Sequence, residues 1–140
     1  MTVLPEPNAV LTKMVHSLMP LSAVLGLEIL EGSPDKVLAR AKWSAERCTT
    51  GGVLHGGYLM AVADSTGAAC ASLSLPPGAI MTTIESKTNF FRGVTEGIIE
   101  IATAPVHIGR TMIVVQTDIT NANGKLVSRT IQTQAVIIKK

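Results

Sequence analysis

The stretch Cys48–Leu75, CTTGGVLHGGYLMAVADSTGAACASLSL, decides how the rest of the chain can fold. It opens as a glycine-rich loop in which Gly51, Gly52, Gly56 and Gly57 flank His55. Backbone without Cβ atoms can approach another molecule closely and keep its N–H groups accessible. From Tyr58 onward Leu, Met and Ala dominate, which predicts a helix that Pro76-Pro77 ends. Most faces of that helix are apolar or small, so it is expected to be a core helix wrapped by other elements. One acid, Asp64, sits in its middle. Burying an unpaired carboxylate costs several kcal/mol, roughly, so Asp64 must be hydrogen-bonded, shifted in pKa or turned towards a cavity.

A chain of 140 residues suits a single domain over 1–140. Its 46% hydrophobic and 16% charged content argues against disorder, and 3% aromatics leave the core to aliphatic side chains. A net charge of +2, with no basic run or aromatic-basic interleaving, gives no reason to expect nucleic acid as a partner. Thr2 to Pro7 carries Pro and Glu where a signal peptide needs an apolar run. The two cysteines, Cys48 and Cys70, are therefore expected as free thiols in a cytoplasmic setting. Asp64 and the Ser and Thr around it argue against reading residues 58 to 75 as a membrane span.

Around this centre the chain reads in order as a short helix capped by Asn8, with Val10, Leu11, Met14 and Leu18 at helical spacing and Pro20 as its stop. A β-type run from Ala23 to Leu30 follows, then a turn at Gly32-Ser33-Pro34-Asp35 and an alternating strand from Val37 to Trp43. Beyond the helix come strands from Ala79 to Arg92, Gly97 to Ile108, Thr111 to Thr120 and Leu126 to Ile138. Gly109-Arg110 separates the second and third of these, and Asn121-Ala122-Asn123-Gly124, a hairpin signal, the third and fourth. The fold class expected is α+β, one antiparallel sheet of five or six strands curled round one long central helix.

That arrangement, with His55-Gly56-Gly57 and an acid nine positions after the histidine, resembles the hot-dog fold acyl-CoA thioesterases of the PaaI-like and 4-hydroxybenzoyl-CoA thioesterase group. The likeness extends to Asn89-Phe90-Phe91-Arg92, Glu96-Gly97, His107-Ile108-Gly109-Arg110-Thr111 and Asn123-Gly124-Lys125-Leu126. It implies hydrolysis of an acyl-CoA, with Asp64 as nucleophile or general base and the Gly56 amide polarising the thioester carbonyl. It also implies a homo-oligomer, a dimer or a homotetrameric dimer of dimers, with active sites shared between subunits. No cofactor is expected. Two positions depart from the family pattern: Thr49 stands where relatives usually carry Asn or Gln, and Ala68 where they often carry Ser or Thr.

His55 has no second His, Cys and acid at ligand spacing, so no metal is expected and its role is to orient the loop. At a helix start Gly56 offers an N–H that the helix does not use, and the dipole there favours negative charge. Thr49 and Gly57 complete the candidate loop. Arg92, Arg110 and Lys87 are candidates for the phosphates of coenzyme A, Arg110 first because it follows Gly109 in a turn. A non-catalytic acyl-CoA binding or sensing protein is the alternative that Thr49 and Ala68 leave open. A DNA-binding sensor is disfavoured, because the stretch before Ala23 is too short for a helix-turn-helix.

Overall fold

The computed structural model describes residues 3–140, so Thr2, part of the segment read above for a leader, lies outside the described residues. Helices α1 (Ala9–Leu18) and α2 (Pro20–Val24) lead into strands β1 (Glu28–Ser33) and β2 (Lys36–Lys42). Two short 3-10 turns then carry the chain to α3 (Gly56–Ser72). Strands β3 (Ala79–Phe90), β4 (Ile98–Ile108), β5 (Met112–Thr120) and β6 (Leu126–Ile138) follow. All pair antiparallel in one sheet of order β1-β2-β4-β5-β6-β3, with α3 packed on one face.

The expected strand from Ala23 to Leu30 begins instead as the end of a helix, Ala23 and Val24, followed by a turn. Pro20 ends α1 but also opens α2, where its fixed φ suits a first helical turn and its missing N–H costs nothing. Gly26, at φ 69°, then turns the chain, while its N–H and that of Leu27 satisfy the last carbonyls of α2 at 3.0 Å. Only from Glu28 does the chain extend.

The two edges of the sheet differ. Along β1, α1 lies against the outer side: Asn8 N–H donates to Ile29 O (2.8 Å), Thr12 Oγ1 accepts from Ile29 N–H (2.9 Å), and His16 Nε2 meets Leu27 O (2.6 Å). That edge is thus covered at Leu27 and Ile29 by the Asn8 backbone and the Thr12 and His16 side chains. The β3 edge, 12 residues long, has β6 on one side and no partner on the other among the described residues.

Between sheet and helix the core is aliphatic, built from Leu27, Ile29, Ala39, Ala41, Leu59, Val62, Ile99, Ile101, Ile119 and Val127. One seam departs from the expected apolar strand face. Ser128, Thr130, Gln132 and Gln134, alternate residues of β6, are all buried on the side of α3. The helix opposite them carries small residues, and at Gly67 this leaves room for the Gln132 side chain. A threonine row crosses the sheet at this level: Thr103 and Thr117 share a hydrogen bond of 2.6 Å, and Thr130 and Thr88 one of 2.7 Å. Thr117 and Thr130 are register partners between the two pairs.

Thr103 and Thr117 are fully buried, so each hydroxyl depends on the other. Thr117→Val should cost about 1–3 kcal/mol by stranding the Thr103 hydroxyl, whereas Thr103→Val with Thr117→Val should cost clearly less than twice that. Urea unfolding of the three variants checks the order; equal increments from the two substitutions would contradict it.

Candidate active site

The loop that feeds α3 is held from several sides. Trp43 Nε1–H donates to Gly52 O (2.9 Å), Leu54 N–H to Val94 O (2.9 Å) and His55 N–H to Arg47 O (2.9 Å). Gly51 and Gly52 take φ of 76° and 72°, a region side chains rarely adopt, which lets the loop turn sharply before the helix. Arg47 lies across Gly26, so close that a Cβ there would collide with its guanidinium, and stacks 5.5 Å from the Tyr58 ring centroid. Burial pushes the Tyr58 phenol up, with Arg47 opposing, and its O–H donates to Leu25 O (2.7 Å).

His55 is the N-cap of α3, with extended backbone and an Nδ1 that accepts from Gly57 N–H at 2.8 Å. The same bond occupies the Gly57 amide, so of the two glycines after His55 it is Gly56, the first residue of α3, whose N–H stands at the helix start without a helical acceptor. Gly56 also lies under the Phe90 ring: a Cβ there would come within 3.2 Å of Cζ. Thr49 sits on the exposed loop, its N–H donating to Val53 O (2.8 Å). His55 and Gly57 line a cleft with Arg47, Cys48, Tyr58 and Ala61.

Asp64 lies two turns further along, exposed on the face of α3 that the sheet leaves open. One of its oxygens is held from below: Gln132 Nε2 donates to Oδ1 at 2.6 Å and reaches Thr83 Oγ1 at 3.4 Å. Gln132 is completely buried, and it passes beside α3 because position 67 is glycine; a Cβ there would collide with its Oε1. Thr83 in turn donates to Gln134 Oε1 at 3.1 Å. Sequence reading missed Gln132 and Thr83. The signal was the pairing of Gly67 in a helix with a polar strand position, visible only once the register is known.

The remaining residues lie apart from this cluster. Arg92 follows β3 near the α3 start, whereas Arg110 sits in the β4–β5 turn at the opposite end of the strands. Lys87, on the sheet face away from α3, donates to Asn89 Oδ1 (2.9 Å). Cys70 is buried on α3, its thiol pushed up by burial, as a core residue would be. No helix among the described residues is long and apolar enough to cross a membrane.

Gly56 and Asp64 are eight residues apart on one straight helix, about 12 Å at ~1.5 Å per residue. A carbonyl cannot meet both within one chain.

A sheet packed on a single long helix, a glycine-opened helix start and an acid two turns along together define a hot-dog thioesterase. The Thioesterase superfamily model matches residues 51–128, and the chain belongs to that family; it is a thioester hydrolase. It is 31% identical over 102 residues to a "Putative esterase" of Haemophilus influenzae, covering 73% of this chain and 74% of that one. With "Putative esterase ComA2" of Bacillus subtilis it shares 32% over 127 residues, covering 90% and 98%. Among solved structures, a Haemophilus influenzae thioesterase superposes with TM-score 0.84 at 26% identity, covering 98% of this chain and 96% of that one. A mutant of phenylacetic acid degradation protein PaaI from Thermus thermophilus gives 0.76 at 25% identity, covering 83% and 97%.

The Gly67 and Gln132 contact yields a sign reversal. Gly67→Ala should lower stability by roughly 1 kcal/mol or more, because displacing the amide from Asp64 outweighs the ~1 kcal/mol that alanine adds to a helix. In a Gln132→Ala background the same substitution should raise stability. Thermal or urea unfolding of the four proteins reads both signs; because a Cβ at position 67 also comes within 3.3 Å of Val115 Cγ2 in either background, an equal loss in both is the result that would show Gly67 is not there for Gln132.

Proposed function

We propose that the protein hydrolyses acyl-CoA thioesters to the carboxylic acid and free coenzyme A, with each active site shared between two copies of the chain. The observation that carries this reading is the separation of Gly56 and Asp64 on one helix, each suited to half of the same reaction. Hydrolysis adds water across the C–S bond, so it needs a donor for the carbonyl oxygen as charge develops and an anion on the attacking side. The Gly56 N–H at the positive end of α3 suits the first role. Asp64 suits the second, either by taking the proton of an attacking water or by attacking the carbonyl itself to give a mixed anhydride that water opens. Gln132 would steady whichever carboxylate oxygen is not engaged.

Two copies of α3 running antiparallel about a two-fold axis would set Gly56 of one chain opposite Asp64 of its partner. The unequal sheet edges support that assembly. With β1 closed by α1, the unpaired β3 edge is where a second chain can add its own β3 and continue the sheet. Exposed Val106, Ile108, Met112 and Ile131 leave apolar surface on other strands for a further contact, which suits a dimer of dimers. Arg92 and Arg110, at opposite ends of the strands in one chain, are the proposed phosphate contacts, and the two-fold gives each an opportunity at the partner's site. Lys87, on the far face, is the weakest of the three.

Asp64→Asn keeps the shape and leaves an oxygen to accept from Gln132, so fold and acyl-CoA binding should persist while kcat falls about 10² or more. Free thiol release from acyl-CoA substrates measures it. Wild-type kcat in this variant would remove Asp64 from the chemistry.

A further inference from the structure

One turn beyond Asp64 on the same face of α3 is Ala68, and Ala68 forms part of the wall of a second cavity, about 250 Å³. This cavity lies between α1 and the C-terminal half of α3, closed at the sides by Ile29, Val37 and Met81. From α1 come Leu11, Met14, Val15 and Leu18. Its one hydroxyl, on Ser72, already donates to Ala69 O at 2.7 Å. None of Trp43, Tyr58, Phe90 or Phe91 reaches it.

We propose, on the basis of the hydrolase reading above, that this cavity receives the acyl group and selects saturated alkyl chains over hydroxylated aryl groups. Position supports the first part, since a chain attached to a carbonyl beside Asp64 passes directly over Ala68. Chemistry supports the second. A ring hydroxyl placed here would lose its water and, unless it reaches the acceptor lone pairs of Ser72 Oγ, find no side-chain partner, at a cost of about tenfold or more in affinity. Flexible Leu and Met side chains line it without a rigid aromatic slot, which suits a conformable methylene chain. Ala68 itself fits this account: a hydroxyl there would put a polar group at the entrance of an apolar channel.

The direct test uses S-alkyl-CoA thioethers, which cannot be hydrolysed, in calorimetric titration of the full chain. From S-ethyl to S-octyl, affinity should rise about fourfold per added methylene until the cavity is filled, and S-(4-hydroxybenzyl)-CoA should bind at least about tenfold more weakly than S-hexyl-CoA. Met14→Trp, which fills the cavity, should flatten the series, and Leu11→Ala, which enlarges it, should extend the rise to longer chains. Either variant suffices if the other does not fold. A flat series in the wild type, or tighter binding of the hydroxybenzyl thioether, overturns the assignment. Thiol release from octanoyl-CoA is assayed beside it: binding with the predicted series but no release would count against hydrolysis of acyl-CoA alone, and release with a flat series against the alkyl pocket alone.

Discussion

An α-helix advances about 1.5 Å per residue, and no side chain as short as aspartate can undo that. The spacing of Gly56 and Asp64 on α3 is therefore the constraint from which the rest follows. On the two-chain reading proposed above, it makes a single chain half of two sites. It gives meaning to the open face of α3, which would otherwise be an exposed carboxylate on a core helix. The same reading gives a use to the unequal sheet edges, one covered at Leu27 and Ile29 by Asn8, Thr12 and His16, the other a 12-residue strand without a partner among the described residues.

Holding a carboxylate at an open face requires something firm beneath it, and here that is a buried amide. Gln132 sits in a seam with Ser128, Thr130 and Gln134, where Gln132 Oε1, Gln134 Nε2 and Ser128 Oγ have no protein partner among the described residues. Each such group costs about 1–3 kcal/mol, more than an aliphatic strand face would. The fold bears that cost where it steadies Asp64 and offsets it with the aliphatic core on the β1, β2 and β4 side of the helix. Packing follows the same division, with Gly67 and Ala71 bringing the helix close to the sheet beside larger residues such as Leu59 and Val62.

Much of this was legible in the sequence because it depends on local chemistry. A run of Leu, Met and Ala between glycines and a Pro-Pro pair gives α3 to within two residues at its start, and Asn121–Gly124 marks the last hairpin. His55, Gly56 and Asp64 stood out by type and spacing. What escaped depends on register. The alternation Ser128, Thr130, Gln132, Gln134 reads as a solvent face, because Ile131 is the more apolar neighbour, yet Ile131 is the exposed one. Only the pairing of β6 with β5 and β3, with Gly67 opposite, turns those polar residues inward. Pro20 escaped for a different reason: proline ends one helix and begins another with the same φ, and nothing local separates the two uses.

The claim that the site is built from two chains is tested most directly by complementation. Asp64→Asn removes the anion, and Gly56→Pro removes the N–H at a helix start whose backbone suits proline, since His55 before it is already extended at φ −63° and ψ 135°, with the half-exposed Phe90 ring giving by a few tenths of an ångström. Each variant alone should be inactive while still folded and associated. Refolded together in equal amounts, half the dimers are mixed and each rebuilds one of its two sites, so thioester hydrolysis should return to about a quarter of the wild-type rate. A mixture that contains the heterodimer and stays inactive would place the whole reaction within one chain and contradict the account.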